Sequence, residues 1–181
     1  CKPDMQYFKS MTDGQLLVMG YNTYKGLVEQ WPTKTVLPNR DVIVLMSVRH
    51  INVQQSTTFS NVQQLYTELL LMLNDHDRVP GGRLFVLPLL DDPSDELISC
   101  LVRDIQVLAK PNQEIFVAGG ARTYSLFSSY ISRSCVTIID HQNKPEIPVY
   151  LDKGLVQDLK RRIASNAVRT SLIQTDPDNN T

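Results

Sequence analysis

Uninterrupted runs of apolar residues, separated by polar and turn-forming segments, are the clearest pattern along this chain. The runs predict strands over residues 16–19 and 42–46; residues 84–90 and 114–118 are further predicted strands, and residues 135–139 and 169–174 are strand-like. The first two lack the alternation of apolar and polar positions that marks a strand with one solvated face. They therefore predict buried strands of a parallel sheet that is covered on both faces.

Apolar residues at helical spacing predict helices between these strands. The helices are expected over residues 3–11, 22–28, 62–72, 95–109 and 121–127. Residues 60–63, with the sequence Ser-Asn-Val-Gln, have the form of a capping box and open the third of these helices. Strands that alternate with helices indicate an α/β fold.

Composition and charge narrow the class of protein further. A length of 181 residues, a net charge of −1 and a hydrophobic content of 42% suit one domain over residues 1–181. This net charge does not indicate a surface that binds nucleic acid, and no apolar run is long enough to span a membrane.

The three cysteines include no CxxC pair, so we expect neither a disulfide framework nor a metal site. Cys100 and Cys135 lie among apolar residues and are predicted to be buried thiols in a reducing, cytoplasmic compartment.

Two local patterns suggest chemistry. The strand at 114–118 runs directly into Gly119-Gly120 and a helix, which would let the backbone approach a phosphate-bearing ligand closely. The alternative is a tight strand-to-helix turn without a ligand.

Near the start of the chain, Asp4 stands at helical spacing from Phe8, with Met5 beside it. A carboxylate next to an apolar patch suits an aromatic heterocycle with polar nitrogens; the alternative is a helix-capping Asp4 beside core residues.

The order of these patterns along the chain carries a family resemblance. Four segments resemble successive motifs of dihydrofolate reductase: PDMQYFKSMT at 3–12, LVMGYNTY at 17–24, LPNR at 37–40 and FVAGGARTY at 116–124. Thr137, in the segment VTIID at 136–140, resembles the family's strand threonine. The resemblance implies a mixed, mostly parallel central sheet flanked by helices. It also implies reduction of 7,8-dihydrofolate to tetrahydrofolate with NADPH and without a metal.

The resemblance also implies roles for particular residues. Asp4 would be the acid that assists protonation of the pterin ring, and Thr137 would orient its carboxylate. Arg40 would grip the glutamate carboxylate of the substrate with its planar guanidinium group. The ring slot would be lined by Met5, Phe8 and Leu37. The NADPH site would be lined by Gly20, Thr23, Ser47, Ala118, Gly119, Gly120, Ala121, Arg122 and Tyr124.

The chain departs from the family pattern in three places. The family's opening strand and active-site loop do not precede Cys1, so we expect them upstream or, by circular permutation, within residues 170–180. Tyr21-Asn22 stands where the family has a basic residue near the 2′-phosphate, which leaves the preference for NADPH over NADH open; Arg49 could compensate. The segment 57–113 carries an additional helix, and residues 80–110 are predicted to be an insertion.

Two other interpretations remain beside the reductase. The missing opening segment and Tyr21-Asn22 favour a non-catalytic binding or structural protein with the same fold. A related pyrimidine or pterin reductase is the third, which Asp4 and Arg40 together oppose. The sequence predicts a small-molecule substrate and gives no oligomeric state.

Overall fold

A parallel sheet forms the centre of the computed structural model, which describes residues 2–30, 37–47, 81–137 and 150–165. Its strands are β1 (Leu16–Gly20), β2 (Asp41–Ser47), β3 (Leu84–Leu89) and β4 (Ile115–Gly119). Their order across the sheet is β3-β2-β1-β4, and every neighbouring pair is parallel. The predicted α/β class is therefore confirmed, and the part of the sheet that the structure describes is parallel throughout.

The described helices lie before, between and after these strands in the chain. They are α1 (Lys2–Thr12), α2 (Tyr21–Gln30), α3 (Asp95–Leu108), α4 (Ala121–Phe127) and α5 (Lys153–Ala164), with a 3₁₀ turn at Ser128–Tyr130. The sequence missed α5, although the Asp152 side chain accepts hydrogen bonds from the N–H groups of Gly154 and Leu155 as an N-cap does. Among the helices described, none has the length and apolar character needed to cross a bilayer.

Some predicted elements cannot be compared with the structure. The helix at 62–72 and the strand at 169–174 lie outside the described residues. Residues 135–137 form no strand, and the rest of that predicted strand lies outside the described part. Within residues 80–110 the structure contains β3 and α3; that this segment is an insertion stays a prediction.

Apolar side chains cover both faces of the sheet, as the lack of alternation predicted. Leu17 and Val44 belong to the cluster on the face that packs against Tyr24 of α2. Leu16 and Ile43 belong to the opposite cluster, which includes residues of α3 and α4. Each such side chain contributes about 1.5–3 kcal/mol when it is fully removed from water, so these clusters hold the helices on the sheet.

The cysteine prediction was wrong, because Cys100 and Cys135 are both exposed free thiols. Helix α3 turns Leu101 and Ile105 toward the sheet. Cys100 lies one position before Leu101, about 100° around the helix, and so faces outward. Cys135 lies in a segment without regular structure in which residues 132–137 are all exposed. Apolar neighbours in sequence did not bury either thiol.

A buried carboxylate fixes the amino ends of three strands. Asp41, only 1% exposed, begins β2 and accepts two hydrogen bonds from the Arg83 guanidinium group, at 2.7 and 3.1 Å. It also accepts from the Arg83 backbone N–H at 2.8 Å, from Gln113 Nε2 at 3.0 Å and from Lys110 Nζ at 3.3 Å. Arg83 precedes β3, and Gln113 precedes β4. Burial raises the pKa of Asp41, but the hydrogen bonds from Arg83, Gln113 and Lys110 outweigh it and hold that pKa well below its ordinary value.

We predict that Asp41→Asn lowers the free energy of unfolding by about 2 kcal/mol at neutral pH, since it removes the charge that these donors share. The folded pKa of Asp41 lies below its ordinary value of 3.8, so its stabilisation is present above that pH and is lost as the pH falls toward the folded pKa. Urea titrations at several pH values measure the effect. The difference between the wild type and Asp41→Asn should shrink from pH 6 to pH 2.5, and a constant difference would contradict the assignment. Asp104→Asn, the same change at an exposed site on α3, is the control.

Candidate active site

Helix α1 and the segment after the 3₁₀ turn meet at the candidate acid. Asp4 lies in the first turn of α1 and is half-buried, as is Phe8 one turn later. Thr137 Oγ1 donates a hydrogen bond to Asp4 Oδ1 at 2.6 Å. These two residues are 133 positions apart in sequence, so their contact is made by the fold. The bond restricts rotation of the Asp4 carboxylate at the place where Thr137 lines a cavity.

This cavity has a volume of about 780 Å³, within the size range of small-molecule sites. Phe8 and Met11 of α1 line it together with Phe116 and Ala118 of β4 and Thr137. The sequence did not single out Met11 or Phe116. The spacing could have indicated both residues. Met11 follows Phe8 by about one helical turn, and Phe116 and Ala118 stand two positions apart on a strand, so each pair lies on one face of its element.

The cavity continues around the edge of β4. Ile115 and Val117 also line it, and side chains at alternate positions of a strand point to opposite faces of the sheet. The cavity thus lies beside β4 as well as over one face. Tyr124 of α4 contributes to the wall, and burial raises the pKa of its hydroxyl. The Tyr124 hydroxyl is therefore protonated and can donate a hydrogen bond at neutral pH.

The glycine turn after β4 brings several of the predicted cofactor residues together. Gly119 is buried and has a φ of +119°, a conformation that favours glycine, and it is joined to Gly120 by a cis peptide bond. A Cβ atom on Gly119 would lie 3.5 Å from the Tyr124 hydroxyl, and one on Gly120 would lie 3.2 Å from Thr23 Oγ1. A Cβ atom on Gly20 would lie 3.0 Å from Thr123 Oγ1 and 4.0 Å from the backbone nitrogen of Gly120. The backbones at the carboxyl ends of β1 and β4 therefore approach closely, and the side chains of Thr23, Thr123 and Tyr124 pack against the glycines.

Ser47 and Arg122, two polar members of the predicted cofactor set, also meet. Arg122 Nη1 donates to Ser47 Oγ at 3.1 Å. Asp91 joins them: its Oδ1 lies 3.2 Å from Arg122 Nη1 and accepts a hydrogen bond from the Ser47 hydroxyl. The sequence missed Asp91. The signal was its position, because β3 pairs in parallel with β2 and Leu89 is the register partner of Ser47, so Asp91 follows at the same sheet edge.

The guanidinium group of Arg40 forms hydrogen bonds with other residues of the protein. Its side chain is 4% exposed; Nε donates to Thr12 Oγ1 at 2.9 Å, and Nη2 donates to the Lys9 carbonyl at 2.7 Å. Nη1 donates to the Pro38 carbonyl and lies 3.7 Å from Asp13 Oδ1. Every nitrogen of the guanidinium group thus has a partner that ties the end of α1 to the turn before β2. That Arg40 grips a substrate carboxylate stays a prediction.

The remaining substrate residues lie apart from the cavity. Leu37 is 5% exposed and belongs to the core cluster against which Phe8 packs. Met5 is half-buried on α1. Neither of them, nor Arg40, is part of the cavity wall. Of the substrate and catalytic residues predicted, Phe8 and Thr137 line the cavity, and Asp4 is joined to it through Thr137.

Residues 1–89 match the family model for Dihydrofolate reductase. This match covers just under half of the chain and supports membership of the dihydrofolate reductase family. The match extends from α1 to the end of β3, so it includes Asp4, Phe8 and Arg40. The glycine turn, Arg122 and Thr137 lie beyond the matched residues and are assigned to dihydrofolate reductase motifs by resemblance alone. Comparison with curated protein sequences and with solved structures gave no match.

We predict that Arg40→Met lowers the free energy of unfolding by about 3 kcal/mol, because it leaves the Lys9 and Pro38 carbonyls without their donor. Lys25→Met is the matched control. Lys25 is exposed and forms only a 3.8 Å ion pair with Glu29, so its replacement should cost about 0.5 kcal/mol or less. Urea unfolding of both variants is the measurement. Equal small decreases in the free energy of unfolding for Arg40→Met and Lys25→Met would show that Arg40 does not hold α1 in place.

Proposed function

We propose that this chain reduces 7,8-dihydrofolate to tetrahydrofolate with NADPH as the hydride donor. The observation that carries the proposal is the hydrogen bond between Asp4 and Thr137 beside the cavity. The family match over residues 1–89 supports dihydrofolate reductase chemistry in general. The specific reaction, the cofactor and the residue roles below belong to the proposal.

The cavity walls suit a flat heteroaromatic substrate. Phe8, Met11 and Phe116 provide apolar surface for the faces of a ring. The Asp4 carboxylate would accept hydrogen bonds from polar ring nitrogens and assist the delivery of a proton to the ring. Thr137 would act as a positioning residue, since its 2.6 Å hydrogen bond holds one carboxylate oxygen in place. The geometry of Asp4 toward the substrate would then be fixed before binding.

The residues at the carboxyl ends of β1, β2 and β4 fit most of a dinucleotide. The glycine turn would present backbone without side chains to a ligand, with Thr23 and the Tyr124 hydroxyl packed beside it. Arg122 and Ser47 offer donors of the type that bind phosphate, while Gly20, Ala118 and Ala121 add little bulk. NADPH, when bound, supplies the hydride; the chain's own residues bind it, align it with the substrate and exclude water. Asp91 is the one group in this set that does not suit an anion.

A non-catalytic protein with the reductase fold is the second candidate. The observation that favours it is Arg40, whose guanidinium nitrogens are all engaged by partners within the protein. The requirements of folding alone therefore explain Arg40, and its presence does not argue for a substrate with a carboxylate. Such a protein could still bind a nucleotide at the glycine turn.

We further propose that residues 1–181 form a single domain of a cytoplasmic protein, with residues 80–110 as an insertion. The exposed free thiols of Cys100 and Cys135 support a reducing compartment, because exposed thiols are readily oxidised elsewhere.

Asp4→Asn is predicted to lower turnover about a hundred-fold or more, because the amide cannot assist protonation. The measurement is the loss of NADPH absorbance in the presence of dihydrofolate. A rise in melting temperature on addition of NADPH should persist in the variant, since the hydrogen bond described for Asp4 is to Thr137 and not to a residue of the glycine turn. Absence of turnover in the full natural chain, with NADPH binding retained, would support the non-catalytic candidate.

Replacements of Thr137 test its positioning role. Thr137→Val has nearly the same shape but no hydroxyl, and we expect kcat to fall about ten-fold with little change in stability. Thr137→Ser keeps the hydroxyl and should restore most of the activity. The pH profile of kcat should shift in the valine variant only. Equal activity of the two variants would show that the hydrogen bond to Asp4 plays no part in turnover.

A further inference from the structure

An acidic side chain occupies the phosphate-binding donors proposed above. Asp91 Oδ1 lies 3.2 Å from Arg122 Nη1 and accepts the hydrogen bond of the Ser47 hydroxyl. Arg122 Nη2 donates to the Leu90 carbonyl at 3.0 Å and to the Asp91 carbonyl. The Arg122 and Asp91 side chains are 45% and 50% exposed, so a ligand can reach them from solvent.

The positive charge of Arg122 is offset before any ligand arrives. Arg122 Nη1 donates to both Ser47 Oγ and Asp91 Oδ1, and the Asp91 carboxylate carries the opposite charge. A phosphate at the same donors would meet Asp91 as a like charge and a rival acceptor. On the neighbouring strand end, Tyr21-Asn22 follows Gly20 and adds no cation.

We infer that Asp91 is a specificity-determining residue, which opposes a cofactor phosphate at Arg122 and Ser47 and so weakens the selection of NADPH over NADH. Specificity often depends on such a repulsive element as well as on attractive ones. This inference rests on the proposed function for its ligand, a nicotinamide dinucleotide. Both cofactors carry the pyrophosphate, but only NADPH has the additional 2′-phosphate, so comparing them identifies the phosphate that Asp91 opposes.

The test is a binding titration of NADPH and of NADH, followed by protein fluorescence, on the full chain. We expect Asp91→Asn to tighten NADPH about five- to ten-fold and to change NADH less than about two-fold. The gain should shrink at high salt, because the groups are half exposed. Asp92→Asn removes the same charge from the exposed residue next to Asp91 and should change neither affinity by more than about two-fold.

A second variant checks that Asp91 acts through the arginine. In an Arg122→Met background, Asp91→Asn should no longer tighten NADPH, because the shared donor is gone. The melting temperatures of the ligand-free variants show whether each one is folded.

The outcomes separate this inference from the proposed function. Equal tightening of NADPH and NADH would place the pyrophosphate at this cluster and overturn the role of Asp91 in choosing between them. An unchanged or weaker affinity for NADPH in Asp91→Asn would overturn the inference while leaving the reductase proposal intact. If the full chain shows no turnover of dihydrofolate but Asp91→Asn still tightens NADPH binding, only the reductase proposal is overturned. If neither cofactor binds to any variant, both fail.

Discussion

Two consecutive buried charges, Arg40 and Asp41, set the positions of the elements that carry the candidate site. Arg40 holds the end of α1 through Lys9 and Thr12, whereas Asp41 is bound by Arg83 before β3 and by residues before β4. Side chains at successive positions of an extended chain point in opposite directions, which lets one dipeptide brace both sides. Helix α1 carries the candidate acid, and β4 ends at the glycine turn. The relative position of these two elements therefore depends on this pair of buried charges.

The sequence was most informative where structure depends on local chemistry. Apolar runs without alternation predicted β1, β2 and β3, and the helix predicted at 121–127 has the bounds that α4 shows. These features follow from burial and periodicity, which neighbouring residues reveal. Helix α5 was missed although Leu155, Leu159 and Ile163 recur at helical spacing after the N-cap Asp152, so the signal was present in the sequence. Cys100 was misjudged since one step along a helix changes the face on which a side chain lies.

The candidate site shows the limit of motif reasoning more clearly. The motifs brought Asp4, Thr137 and the glycines into consideration, and the structure places Asp4 against Thr137. They did not reveal which partners a polar group already has. Arg40 satisfies carbonyls of its own chain, and Asp91 reaches Arg122 from a segment 31 residues earlier. Such pairings depend on the register of parallel strands and on helix placement, neither of which a short motif records.

This distinction also bears on how the two candidate functions are separated. A buried arginine that holds two carbonyls stabilises the fold whether or not the protein is an enzyme, so Arg40 adds no support for a substrate with a carboxylate. The hydrogen bond between Thr137 and Asp4 is different, because Thr137 is exposed and the bond lies beside the cavity. An exposed polar pair contributes little to folding. The proposed function accounts for this carboxylate through a ligand rather than through stability, so replacing Asp4 separates an enzyme from a binding protein better than replacing Arg40 does.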